Sequence, residues 1–391
     1  MTYDFTTVID RSEQGSVKWT EMKRQCPEGL SGIVPFSVAD MELVPPPELV
    51  DGLKQYTETM IFGYTQATEA YYQSVQDWME QRHGFCPPKE WFIEFPGVVP
   101  TLNGLVRALT QPEDSVLILS PVYYPFRSAV RSNGRTLVQS ELMDCGTTYA
   151  IDFADVADKL SRPEVTMMIL CSPHNPVGRV WTREELIRLC TLCRDNHVFL
   201  VSDEIHFDLI LPGYTHTSVA ALPDFLDNVA VCTAPSKTFN LAGLQTSNIF
   251  LPNEETRKKV LDSRGFFTLN AYGYKACELA YQRCGDWLDQ LIALIERNRT
   301  CVAAFLAEHL PEVRVYDLQG TYLLWLDFRA FGLSAKELEH TMHTAGWFCD
   351  EGYIFGPGGE GFERLNLACP TWVLEQALPR LEAAFRKGTM E

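Results

Sequence analysis

Residues 165–204 read VTMMILCSPHNPVGRVWTREELIRLCTLCRDNHVFLVSDE, and their changes of character decide the fold. VTMMIL (165–170) is an unbroken apolar run of strand length. A loop with two prolines follows, and then a helical pattern over 182–196 with apolar side chains at 186, 187, 189, 190 and 193. Thr182 with Glu185 three residues on predicts a capping box at its start. VFLVSDE (198–204) is a second strand of the same kind. Strands without polar alternation, separated by a helix, belong in a mainly parallel sheet covered on both faces.

The same alternation extends outward. SVLILS (115–120), TLVQSEL (136–142), VAVCTA (229–234) and SNIFL (247–251) read as further strands, with helical patterns at 101–110, 124–133 and 152–161. After about residue 285 the chain changes: long helical stretches at 286–309, 334–345 and 371–387 surround one strand, GTYLLWLDF (320–328). The expected organisation is an α/β domain over 49–284 and a smaller α+β domain over 285–391. Residues 1–48 read as an irregular arm packing with the small domain, closed by Pro45-Pro46-Pro47, a run that discourages helix and central strand.

Composition narrows the function. With 391 residues, 46% of them apolar, the chain can bury a large core. Its 33 basic and 51 acidic side chains give a charge of −18, which argues against a general nucleic-acid partner because phosphate contacts need Lys and Arg. Local anion binding by backbone N–H groups stays open. No apolar run nears the roughly 18–20 residues that span a bilayer, and the start, MTYDFTTVIDRSEQG, lacks the order of a secretory signal. A cytoplasmic protein is expected. Twelve scattered cysteines are too dilute for a disulfide scaffold, and Cys190 and Cys193 fall on the apolar side of the 182–196 helix, which reads as packing.

In sheets of this kind ligands gather at the carboxyl ends of strands. Four polar features fall there: Tyr123 after the 115–120 strand, Asn175 after 165–170, Asp203 in 198–204, and Ser236-Lys237 after 229–234. Each alone has a bland explanation as a turn, a solvated end or an exposed lysine. Together they suit one task. A lysine can form an imine with an aldehyde cofactor, and the hydroxyl before it can contact a phosphate. A buried carboxylate can keep a pyridine nitrogen protonated. Asn can donate to a phenolic oxygen and an aromatic ring can cover the face. These are the needs of pyridoxal 5′-phosphate.

The order Asn175, Asp203, Lys237 resembles the fold type I, aspartate aminotransferase-like, pyridoxal-phosphate enzymes. The longer motifs SPHNPVGRVWTREEL, SDEIHFDL and APSKTFNLAGLQ are similar to a narrower branch, the cystathionine β-lyase-type C–S lyases. The likeness includes VIDR and SVKW (8–19), VADM (38–41), FGYT (62–65), PGVV (96–99), PVYYPF (121–126), GTYLLWLDFR (320–329) and RLNLACP (364–370), so it spans nearly the whole chain. It implies a mainly parallel seven-stranded sheet in the large domain. It also implies that Lys237 is the Schiff-base lysine and proton shuttle, Asp203 the partner of the pyridinium nitrogen, Asn175 the donor to the 3′-oxygen and Tyr123 the stacking ring, ahead of Tyr124. Ser236 and the amides of Val98 and Val99, after Gly97, would hold the phosphate at a helix N-terminus. Tyr64 resembles the tyrosine that reaches the phosphate of a neighbouring subunit, which requires a homodimer. Arg364 would anchor the substrate carboxylate through its planar fork. His174 and His206 flank the site as orienting or packing groups.

The resemblance leaves the reaction less defined than the cofactor. β-Elimination from cysteine thioethers and transamination by a broad aminotransferase share their first steps and need no different catalytic residue. Aminotransferases of this fold commonly carry an arginine eight residues after the lysine; here that position is Gln245, which favours the lyase. A regulatory or binding protein on the same fold is a third reading, opposed by the intact Lys237, Asp203 and Asn175.

Overall fold

The apolar runs form strands because both faces of the sheet are covered. The computed structural model describes residues 2–26, 32–265 and 267–387. Its strands in chain order are β1 (Phe92–Phe95), β2 (Ser115–Ser120), β3 (Thr136–Glu141), the short hairpin β4 (Met143–Asp144) and β5 (Tyr149–Ala150), β6 (Val165–Cys171), β7 (Phe199–Asp203), β8 (Val229–Thr233) and β9 (Ser247–Phe250). Seven of these make one sheet in the order β1-β9-β8-β7-β6-β2-β3, in which only β9 runs against its neighbours. Along β2, Val116 and Ile118 enter one apolar cluster while Leu117 and Leu119 enter the other. Along β6, Met167 and Ile169 part from Met168 and Leu170 in the same way. Strand residues alternate between faces, so two buried faces demand an unbroken apolar run.

The expected capping box is present: the Thr182 hydroxyl accepts from Glu185 N, and the Glu185 carboxylate accepts from Thr182 N. Leu186, Leu189, Cys190 and Cys193 are buried on that helix, and the cysteines are unbonded. A second sheet, β10 (Arg314–Val315), β11 (Leu323–Asp327), β12 (Asp350–Glu351) and β13 (Phe362–Asn366), is antiparallel in the order β10-β11-β13-β12. It lies among helices Gly285–His309, Ala335–Thr344 and Thr371–Lys387.

Several expectations are corrected. The 320–328 segment contributes a strand only over Leu323–Asp327. The seventh strand of the large sheet is β1, a four-residue segment too short to stand out by its pattern. The arm is not irregular throughout, since Val17–Gln25 is helical. The proline run does not exclude a helix: Pro47 opens Pro47–Thr59, where its missing N–H and fixed φ suit the first turn. The segment Phe36–Glu42 is tied to the small sheet and its surroundings. Phe36 N donates to Phe348 O (2.8 Å), Asn366 N to Phe36 O (3.1 Å) and Glu42 N to Ala368 O (2.9 Å).

Candidate active site

Four parallel strands deliver their carboxyl ends to one cavity of about 280 Å³. Gly97, Val98, Val99, Tyr123, Asn175, Asp203, Ser236 and Lys237 line it, so the structure brings together all but two of the candidates. Arg364 reaches the same place through Asn175, whose Oδ1 accepts from Arg364 Nη1 at 2.8 Å. Tyr64 does not line this cavity; it is 97% exposed elsewhere on the chain.

The local backbone explains each position. Gly97 takes φ 111°, a turn that favours glycine, and starts the helix Val98–Leu109. Its first-turn amides, at Val98 and Val99, have no carbonyl to meet within their own helix and point an N-terminal dipole at the cavity. β8 ends at Thr233, and the short turn of helix Pro235–Thr238 carries Ser236 and Lys237. Lys237 Nζ donates to Ala39 O (2.6 Å), a carbonyl that also accepts from Tyr322 Oη (2.9 Å). Burial, followed by the charge of Arg364, lowers Lys237 to about 8. Gln245, also on the cavity wall, sits at φ 51°.

Asp203 is buried, and its Oδ1 accepts from Ile205 N (3.1 Å). Among the described residues no ion pair holds it, and burial pushes it up to about 7. Its chain neighbour Glu204 is satisfied by Ser202 Oγ, Val219 N and His216 Nε2. Both expected histidines are buried. His174 Nε2 meets Pro121 O at 2.9 Å, whereas His206 lines the cavity with its Nδ1 unpartnered. Burial, then Lys237 and Arg364, hold His206 well below the usual histidine range, so its ring is neutral.

Sequence reasoning missed the other wall. Arg364 Nη2 pairs with Asp350, whose Oδ2 also accepts from Val38 N (2.8 Å). Asn366 Nδ2 donates to Val38 O (2.8 Å) and Asp40 O (2.6 Å), which fixes the strap carrying Ala39. Behind the strap, Lys18, only 1% exposed, meets Asp40 (3.0 Å) and Glu42 (3.1 Å). Arg11 meets the same two carboxylates at 3.1 and 2.8 Å. VADM carries Val38, Ala39 and Asp40, SVKW carries Lys18 and VIDR carries Arg11, but nothing in these motifs states that they meet.

Whether pyridoxal 5′-phosphate suits this cavity is answered by its unmet groups. A buried carboxylate with no ion pair among the described residues suits a pyridinium N–H, helix amides with no intrahelical carbonyl and a hydroxyl suit a phosphate, and a lysine of lowered basicity suits an aldehyde. The residues fit that cofactor. The sheet, the strand-end lysine and the buried Asp203 define a fold type I pyridoxal-phosphate enzyme.

Comparison with known proteins makes the relationship specific. The chain belongs to the family Aminotransferase class I and II, which matches residues 33–381. It is similar to cystathionine beta-lyase PatB of Bacillus subtilis, 44% identical over 374 residues that cover 94% of this chain and 96% of that protein. Among solved structures, cystalysin from Treponema denticola, which contains a pyridoxal 5′-phosphate cofactor, superposes with a TM-score of 0.97 at 44% identity over 99% of this chain and 100% of the other. A pyridoxal-phosphate-bound C–S lyase from Staphylococcus hominis gives 0.92 at 31% identity, over 98% of each chain.

Proposed function

We propose that this chain is a pyridoxal 5′-phosphate-dependent carbon–sulfur lyase. Its substrates are L-cysteine thioethers of the cystathionine type, and its products are a thiol, pyruvate and ammonia. When bound, the cofactor supplies an electron sink that stabilises negative charge at the substrate's α-carbon. Lys237 would hold the cofactor's aldehyde and take the substrate's α-proton; a basicity near 8 suits a base at neutral pH. Asp203 would keep the ring nitrogen protonated, Asn175 would donate to the ring oxygen and Tyr123 would cover the ring, all three lining the same cavity. Ser236, Val98 and Val99 bind the phosphate. Arg364, held by Asn175 and Asp350, presents its fork to the substrate carboxylate and fixes the α-proton toward Lys237.

Two observations favour elimination over transamination. The chain matches proteins named as C–S lyases along nearly its whole length, and Gln245 stands at the cavity where the aminotransferase pattern has a cation. The exposed apolar segment Ile61, Phe62 and Tyr64 (90%, 78% and 97% exposed) supports a homodimer in which Tyr64 serves the partner's phosphate site. The deciding experiment supplies L-cystathionine and no keto acid. Thiol, pyruvate and ammonia should appear in equal amounts; turnover that requires an added keto acid would assign the chain to transamination instead.

A further inference from the structure

The small sheet has a second face. Asp350 opposes Arg364 across β12 and β13, and the next pair along, Glu351 and Glu363, is also directly opposed. Successive strand residues alternate between faces, so this acidic pair lies on the face away from Arg364. Two carboxylates placed directly opposite each other repel. Glu363 is only 2% exposed, and among the described residues no hydrogen bond or ion pair reaches its carboxylate. Burial, followed by the charges of Glu351, Asp350 and Glu339, pushes that carboxyl well above the usual range. Every one of those charged neighbours is itself an acid.

The helix Ala335–Thr344 brings Glu339 and His343 to the same place, four residues apart and so on one helix face. One ligand atom from each of Glu339, His343 and Glu351 lies within 4.8 Å of the other two, and all three side chains are partly buried. His343 Nε2 and Glu351 Oε1 are 3.7 Å apart, too far for a hydrogen bond. Tyr353 Oη donates to Glu339 Oε2 (3.3 Å), and the His343 ring stacks on Phe348 with centroids 5.0 Å apart, so both donors are oriented from behind. A surface ion pair does not account for three acids gathered around one imidazole, with one of the acids buried and unpartnered.

We propose that Glu339, His343 and Glu351 bind a zinc ion, with Glu363 supplying the buried negative charge behind it. An imidazole among carboxylates suits zinc better than magnesium or calcium, which take oxygen donors. Zinc sits about 2.0–2.2 Å from such atoms, so donors already within 4.8 Å of one another need close only slightly around it. The ion ties the helix to β12, whose Asp350 holds Arg364 from the other face. The site stands independently of the lyase reading.

The test uses the holoenzyme, treated with EDTA under a phosphine reductant and then dialysed against zinc chloride. Zinc bound per chain should exceed that of His343→Gln by one ion, because zinc held by the exposed Cys86 and Cys145 is common to both. Affinity at the site should fall at least about 100-fold in His343→Gln, beyond the roughly 10–100-fold that follows loss of an outer-shell partner. Zinc should raise the Tm of the wild type but not of His343→Gln or Glu339→Gln, and magnesium should raise none of them. Glu363→Gln, of nearly the same shape, should weaken zinc binding without removing the site. Equal zinc content in the wild type and His343→Gln, a zinc-induced rise in Tm that survives in that variant, or an equal rise with magnesium overturns the site.

Discussion

The two walls of the cavity are built on opposite terms. The wall from the large sheet presents unmet groups: Asp203 with no ion pair among the described residues, His206 with an unpartnered Nδ1, and the amides that open the helix after Gly97. The wall from the arm and small sheet is largely satisfied, with Arg364 Nε the exception. Asp40 and Glu42 are each met by both Arg11 and Lys18, Asp350 holds Arg364 and Val38, and Asn366 ties two strap carbonyls. Unmet buried groups cost stability until a ligand arrives, so they mark where one binds. Saturated groups hold a geometry without a ligand, so they mark what positions it.

The largest effect should come from the unmet wall. Lys237→Ala removes the group proposed to hold the cofactor and move the proton. Elimination should fall at least 10²–10⁴-fold, about the range for a positioned acid–base group, and the reconstituted protein should lose its yellow absorbance. Near-wild-type turnover by this variant would remove Lys237 from the chemistry. On the largely satisfied wall, Lys18→Met should act through stability. It strands the buried Glu42 and the half-buried Asp40 beside one remaining cation, a change worth roughly 3–5 kcal/mol in urea unfolding. Burial raises the Asp40 carboxyl, but Lys18 and Arg11 outweigh burial and hold it below the usual range. A lowered carboxyl contributes fully above its unfolded value and loses its contribution as pH falls through the folded one. The wild-type lead over Lys18→Met should therefore narrow in acid below about pH 4.

Asp203→Asn tests whether this carboxylate awaits a cation. Its folded value, about 7, is raised by burial, so in the cofactor-free protein its penalty is absent below the ordinary carboxylate range. The penalty grows as pH rises and is complete above the folded value. Cofactor-free Asp203→Asn should be more stable than wild type at pH 8.5, by up to about 4 kcal/mol, with the gap closing toward pH 4. With cofactor bound the order should reverse, because an amide cannot pair with a pyridinium. A cofactor-free variant less stable than wild type at pH 8.5 would contradict the unmet-wall account.

The same division explains what was legible beforehand. Asn175, Asp203, Ser236 and Lys237 sit at ends of strands whose apolar runs are plain, so position and residue type are read together. The clamp on Arg364 and Lys237 works through Ala39 O, Val38 N and Asp350, which come from distant segments. A backbone carbonyl has no residue signature, and an aspartate on a two-residue strand has no pattern around it. Tyr322, next to the buried strand β11, lies in an apolar run that does not announce the bond of its hydroxyl to the strap. The proline run was misread for a local reason. Its third residue stands at a helix start, where the features that break a helix interior cost nothing.

The smallest effect belongs to the support beneath the unmet wall. Asp208 is buried and receives Trp78 Nε1 (3.0 Å), His83 Nε2 (2.7 Å) and Thr238 Oγ1 (2.6 Å). Thr238 follows Lys237 in a helix of one turn, so this hydrogen bond ties the turn that carries the lysine to a fixed anchor. Thr238→Val keeps the shape and removes the donor. It should cost about 1 kcal/mol of stability, because Asp208 retains two other donors. If the bond only stabilises the fold, kcat and its pH profile should stay put while unfolding shifts. If it positions Lys237, kcat should fall by a few fold and the basic limb of the profile should move, with Thr238→Ser restoring both. A wild-type profile in Thr238→Val would place Asp208 with the largely satisfied wall, as framework alone.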